Sequence, residues 1–308
     1  MLVSTDLVTG ATGNGRRSPA QSGSSPAPTM VSRAPTIASP QELASPVRGS
    51  DPAMTVSDWA LLLTAATAAG WVDAVVGGGG LILIPALFLV APHLTPQAAL
   101  GTNKLTAVTG TFAAVVTFAR RVRMNWRLLI PAGLLAAATS ALGAATVTRI
   151  DKDVFIPLIM VVLVGVAVFV TARPQLGVTL AKDPPTQRKM IAVVLLAAGL
   201  LGFYDGLFGP GTGTFLIITF ATFLGTEFVR SAAMAKVINL GSNLGALVFF
   251  AASGNVLWAL GLGMAVCNVL GAIVGSRMAL SKGAGFVRIT LLVVVIGMVL
   301  RLGWQQFG

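Results

Sequence analysis

Gly70-Trp71-Val72-Asp73-Ala74-Val75-Val76-Gly77-Gly78-Gly79-Gly80 interrupts a strongly apolar stretch with four consecutive glycines, and its order of features returns downstream. The second copy reads Gly202-Phe203-Tyr204-Asp205-Gly206-Leu207-Phe208-Gly209-Pro210-Gly211-Thr212-Gly213. Asp73 and Asp205 stand 132 positions apart, and so do Lys104 and Lys236. The offset continues without a gap, laying residues 98–111 onto 230–243. A duplicated, glycine-broken hydrophobic segment with an acid before the break and a lysine after it is the pattern expected of a transporter built from two repeats.

Composition sets the class independently. The chain is 55% apolar and only 10% charged, with a mean hydropathy of +0.85. That excludes an ordinary soluble domain and predicts an all-α, polytopic, multi-pass membrane protein embedded in the lipid bilayer. The net charge of +11 does not indicate a nucleic-acid partner. Its basic residues sit in an N-terminal tail and in short gaps between apolar runs, which is how orientation charge is distributed. The lone Cys267 rules out an intramolecular disulfide and reads as a small packing residue. No His-Glu-x-x-His or Gly-x-Ser-x-Gly segment is present, so neither enzyme chemistry, a metal site nor a cofactor is expected.

Residues 1–55 are rich in Ser, Pro, Thr, Ala and Gly and are expected to be a disordered tail without a signal-peptide core. Apolar runs then follow at 59–76, 80–91, 99–119, 128–148, 154–172, 190–208, 212–224, 230–252, 256–276 and 285–303. They give eight to ten hydrophobic segments. A full crossing needs about 20 residues, so the runs at 80–91 and 212–224 are too short. Each follows a glycine break at the same place in its copy, which predicts two half-helices facing a cavity that satisfies their backbone.

Loop charge suggests how the copies are related. Arg120, Arg121, Arg123 and Arg127 fill one gap, and Arg173, Lys182, Arg188 and Lys189 another; both are expected on the cytoplasmic side. The second-copy counterpart of the first gap, Ala252-Ser253-Gly254-Asn255, carries no charge. Opposite charge at equivalent loops favours inverted repeats, with membrane repeat 1 at 56–172, a cytoplasmic linker at 173–189 and membrane repeat 2 at 190–304. Parallel copies are the alternative, and would place Arg277 and Lys282 outside.

The breaks also carry the chemistry. A helix that starts just after a glycine break presents unpaired N–H groups and a dipole end of about half a positive charge, which makes an anion site without a side chain. Gly78, Gly79 and Gly80 in the first copy, and Gly211, Thr212 and Gly213 in the second, are the candidate ligands; tight helix packing is the competing use of glycine. Lys104 and Lys236 lie inside apolar helices, where an unpaired lysine costs about 2.5–3.5 kcal/mol. They are candidate anion ligands, against the alternative of snorkelling. Asn103, Asn239 and Asn243, with Ser242, share their helices and can hydrogen-bond a ligand or a neighbouring helix. Asp73 and Asp205 serve a coupling proton, a lysine partner or the irregular backbone.

These stretches, together with Ala99-Leu100-Gly101-Thr102-Asn103-Lys104-Leu105 and Ala235-Lys236-Val237-Ile238-Asn239, resemble the TauE/SafE family of bacterial membrane permeases across about 59–303. Within it the chain looks closest to the uncharacterised inner-membrane transporter group. The resemblance implies a secondary, non-ATP transporter in the bacterial inner membrane, exporting small sulfur-containing oxyanions such as sulfite or organosulfonates. The alternatives are an anion channel, another solute or cation permease, or a non-transporting membrane scaffold. A small anionic substrate is the expected partner, and a homo-oligomer is compatible with the sequence. The second break, Gly209-Pro210-Gly211-Thr212-Gly213, departs from the glycine run of many relatives.

Overall fold

Thr55 starts the membrane part with a reciprocal cap: its hydroxyl accepts from the Asp58 N–H at 3.2 Å, and the Asp58 carboxylate accepts from the Thr55 N–H at 2.9 Å. The helix that follows, α1 (Val56–Val76), leads into α2 (Gly80–Val90), α3 (Pro96–Ala119), α4 (Trp126–Val147) and α5 (Lys152–Ala172). The second half contributes α6 (Gln187–Leu207), α7 (Thr212–Leu224), α8 (Phe228–Ala252) and α9 (Trp258–Phe307). This computed structural model describes residues 54–172 and 185–307, and among them no strand occurs. The N-terminal tail and most of the 173–189 linker lie outside the described residues. Among the described residues five helices are long and apolar enough to cross a membrane: α1, α4, α6, α8 and the Trp258–Lys282 portion of α9. The protein is an all-α, multi-pass membrane protein.

Helix starts keep the spacing of the sequence. Gly80 and Thr212, Pro96 and Phe228, and Trp126 and Trp258 each open equivalent helices, and each pair lies 132 positions apart. The correspondence stops after α4. In the first half a turn at Thr148–Asp151 separates α4 from α5, whereas α9 runs on without interruption past residue 284. The expected gap between 276 and 285 is therefore helical. Ser281-Lys282-Gly283-Ala284-Gly285 holds no proline and no adjacent glycines, so nothing in it removes a helical hydrogen bond.

Small residues set the packing. Methyl groups built at Gly202 and Gly206 of α6 would lie 2.8 Å from the Ala136 and Ser140 Cα atoms of α4. Gly241 and Gly245 of α8 press equally closely on Gly133 and Ala137 of α4. Backbones at this distance gain van der Waals contact that larger side chains would prevent, and lipid supplies no competing hydrophobic force.

The contact registers also give helix directions. Residues 136/202 and 140/206 make α4 and α6 parallel, and 133/241 and 137/245 do the same for α4 and α8. Thr67/Gly271 and Trp71/Gly275 align α1 with α9, while Thr102/Leu257 and Thr106/Gly261 align α3 with α9. By contrast Gly101 meets Phe250 and Lys104 meets Asn243, so α3 and α8 are antiparallel. Three pairs related by the 132-residue offset, α1 with α6, α3 with α8 and α4 with α9, thus run in opposite directions.

Charge separates by end. Arg120, Arg121, Arg123, Arg127, Arg188, Lys189, Arg230, Arg277 and Lys282 gather at the end where α3 finishes and α4, α6 and α8 begin, with Glu227 the acid there among the described residues. The other end carries Arg149 against Asp58, Asp151 and Asp153, and includes the uncharged turn at 252–255.

Candidate functional site

Each glycine break is a helix end held by left-handed backbone. Gly77 closes α1 at φ +85° and donates its N–H to the Asp73 carbonyl at 2.8 Å. In the other half Gly209 (φ +91°) and Gly211 (φ +78°) turn the chain into α7. L-residues avoid this region because Cβ crowds the following carbonyl. Thr212 caps the second turn by donating its hydroxyl to the Gly209 carbonyl at 2.9 Å, and Tyr204 steadies it with a 2.7 Å bond to the Pro210 carbonyl.

The two breaks touch. A methyl group at Gly77 would lie 2.5 Å from the Gly213 Cα and the Thr214 nitrogen, and one at Gly213 would lie 2.6 Å from the Gly77 Cα. The Thr214 hydroxyl donates to the Val76 carbonyl at 2.7 Å and ties the start of α7 to the end of α1. A methyl group at Gly80 would meet Pro210 at 3.6 Å. Gly78 and Gly79 lie between these contacts, Gly79 against Ala69 and Asp73 of its own half.

The charges that flank the breaks pair across the halves. Lys104 on α3 lies 2.7 Å from Asp205 on α6, and Lys236 on α8 lies 2.8 Å from Asp73 on α1. Both lysines are buried. Lys104 also donates to the Asn243 side-chain oxygen at 3.0 Å. Asn243 in turn donates to Asn239 at 3.2 Å, and Ser242 donates to the Asn239 carbonyl at 3.0 Å, so three α8 side chains form one polar chain behind Lys104. Asp205 Oδ2 faces the ammonium without the alignment of a hydrogen bond, so their attraction is chiefly coulombic. Lys236 is held more fully, by both the carboxylate and the backbone carbonyl of Asp73. Thr111 donates to the same carboxylate oxygen at 3.3 Å.

The two pairs differ in access. The Asp73 side chain keeps 17% of its surface exposed, against 3% for Asp205. In each case a positive-φ glycine adjoins the pair: a methyl group at Gly209 would meet Lys104 Nζ at 3.4 Å, and Gly77 bonds to the Asp73 carbonyl that Lys236 shares. Burying two such ions is tolerable only with a close partner, and loss of one partner costs about 3–5 kcal/mol.

Of the residues singled out from sequence, Asp73, Lys104, Gly211, Thr212, Gly213, Asp205, Lys236, Asn239 and Asn243 gather at the breaks or their ion pairs. Asn103 is buried on α3 next to Lys104 in sequence. His93 is exposed between α2 and α3. Sequence reasoning passed over Thr111. Thr111 was within reach, because the 132-residue offset lays it on Asn243 and each sits against an ion pair. Among the described residues no cluster of His, Cys, Asp and Glu is arranged to hold a metal ion.

The comparisons with known proteins all point to membrane transporters. Residues 62–302 match the family model described as sulfite exporter TauE/SafE. A probable membrane transporter protein, ORF9, from Sinorhizobium sp is 38% identical over 79% of this chain and 91% of its own. The probable membrane transporter protein YfcA of Escherichia coli strain K12 is 36% identical over 80% of this chain and 90% of its own. One from Haemophilus influenzae is 34% identical, covering 80% and 97%. No solved structure matches. The family-model match over residues 62–302, with 38% identity to a probable membrane transporter over most of both chains, places the chain in the TauE/SafE family.

Proposed function

We propose that the chain is a secondary transporter of small sulfur-containing oxyanions, sulfite or organosulfonates, which it exports by alternating access between two inverted halves. The crossed ion pairs carry this reading. Lys104 and Lys236 each join one half to the break of the other, so any rocking of the halves pulls ammonium from carboxylate. Opening a pair with nothing to replace the lost partner costs about 3–5 kcal/mol. An oxyanion resembles a carboxylate in charge and in its oxygen acceptors, so it can take the aspartate's place on the lysine. A proton on the displaced aspartate would balance the exchange. Conversion then depends on ligand, which is what coupled transport requires, and no catalytic chemistry is involved.

The antiparallel course of the offset helices supports inverted copies, and inverted repeats commonly bind substrate where their broken helices meet. The basic end is read as cytoplasmic, which puts the start of α1 on the outer face. The sulfur chemistry rests on the family's description as a sulfite exporter. The test is flux in proteoliposomes given radiolabelled sulfite, sulfate, thiosulfate or sulfoacetate. Saturable movement of sulfite or the sulfonate is expected, and Lys104→Ala and Lys236→Ala should abolish it. No anion flux, or flux unchanged in both variants, overturns the reading; cation flux would shift the role to the aspartates.

A further inference from the structure

The arginines at the basic end do more than face solvent. Arg120, Arg121 and Arg123 just beyond α3, Arg230 from α8, and Arg277 and Lys282 from α9 surround a recess of about 1170 Å³ in which Glu227 is the one acid among the described lining residues. A second, largely apolar groove of about 560 Å³ runs between α3 and α9, from Val108 and Val269 to Arg120 and Arg277. Thr117, Arg120 and Arg277 line both spaces, so the groove leads into the recess.

From these features we infer a binding site for one anionic phospholipid, its phosphate headgroup in the recess and an acyl chain along the α3/α9 groove. Three observations fit this occupant. The recess brings six cations from the turn after α3, from α8 and from α9 to one place, against one carboxylate, which suits a phosphodiester. The groove is walled mostly by apolar side chains, and Phe112 in it is 58% exposed, a large apolar ring that the protein itself leaves uncovered. Its length matches as well. Residues 108 to 120 of α3 span about 18 Å at 1.5 Å per residue, close to half of a hydrocarbon core about 30 Å thick. A soluble anion would use the recess and leave the groove without a role.

The test uses the full chain, delipidated in a neutral detergent, and reads the unfolding temperature and the lipid retained in native mass spectrometry. Dioleoyl phosphatidylglycerol should raise the unfolding temperature by several degrees and leave one lipid bound per chain, whereas dioleoyl phosphatidylcholine should do neither. Arg120→Gln with Arg277→Gln should remove at least half of the shift, and Arg188→Gln, at the same end but outside both spaces, should leave it intact. Should the double variant fail to fold, Val116→Trp fills the groove and keeps every charge, and it should also lose the retained lipid. Equal stabilisation by phosphatidylcholine, by inorganic phosphate or by glycerol phosphate overturns the proposal, as does equal loss in Arg188→Gln. Stabilisation by sulfite that needs Arg120 and Arg277 would instead make the recess a vestibule for substrate. Lipid binding is read without transport, so its failure leaves the flux experiments untouched.

Discussion

Lys104 lies 2.7 Å from Asp205, an aspartate of the other half, and not against Asp73 of its own. Because Lys236 meets Asp73 in the same crossed manner, neither half can neutralise its own buried charge.

Removing one member of a crossed pair should therefore cost more than removing both. Lys104→Ala is expected to lower stability by about 3–5 kcal/mol, because Asp205 is left buried and unpaired. Lys104→Met combined with Asp205→Leu should recover most of that loss in thermal unfolding, while transport stays absent. The combination with Asp73→Leu should recover nothing. Additive losses for Lys104 and Asp205 would sink the crossed pairing.

The hydrogen bonds behind the two pairs should differ in weight. Asn243→Ala removes a bond to the Lys104 ammonium and should cost about 1.5–3 kcal/mol, the range for bonds to charged groups. Thr111→Val removes a longer contact to Asp73, which Lys236 already binds twice, and should cost nearer 0.5 kcal/mol. Unfolding midpoints of the two variants give the comparison; a larger loss at Thr111 would contradict it.

Glycine substitutions should separate backbone strain from contact. Gly254→Ala meets only the left-handed penalty, about 1–2 kcal/mol, since no atom lies within 4 Å of the added methyl. Gly77→Ala meets that penalty and the Gly213 backbone as well, so it should give little folded protein. Gly80→Ala, with its nearest neighbours at 3.6 Å and a helical start, should be close to neutral. The folded yield by size-exclusion chromatography should rank the three as 80, then 254, then 77.

Orientation is open to a labelling test. In a Cys267→Ser background, a cysteine at 254 should react with a membrane-impermeant maleimide added from the periplasmic face. A cysteine at 123 should react only after the membrane is opened. The reverse pattern would turn the molecule over.

Much of this was legible in the residues, and the failures have physical causes. The apolar runs located the helices because a membrane span must be about 20 apolar residues long, and the glycine breaks located the two short ones. The offset could not say which lysine meets which aspartate. Lys104 is related equally well to Asp73 and to Asp205 by the repeat, and only the opposed directions of α3 and α8 decide. The dip in hydropathy around Lys282 imitated a loop, although a lysine within a helix can extend along apolar surface to a polar region; here its ammonium sits 4.9 Å from the centre of the Phe286 ring. The arginines read correctly as a charged end, but their convergence on one recess depends on the register of α3 against α9.

The crossed pairing of Lys104 with Asp205 and of Lys236 with Asp73 has the character of an isologous interface, in which each partner offers the surface that it receives. Such an interface asks for no second sequence: two identical half-length chains, inserted in opposite orientations, would satisfy it, each lending a lysine to the other's aspartate. Joining the halves in one polypeptide releases them from identity. Threonine at 111 against asparagine at 243, and four glycines against Gly-Pro-Gly-Thr-Gly, are differences that a symmetric dimer has no means to hold. With them the surroundings of the two ion pairs can be tuned separately, Asn243 against Lys104 and Thr111 against Asp73.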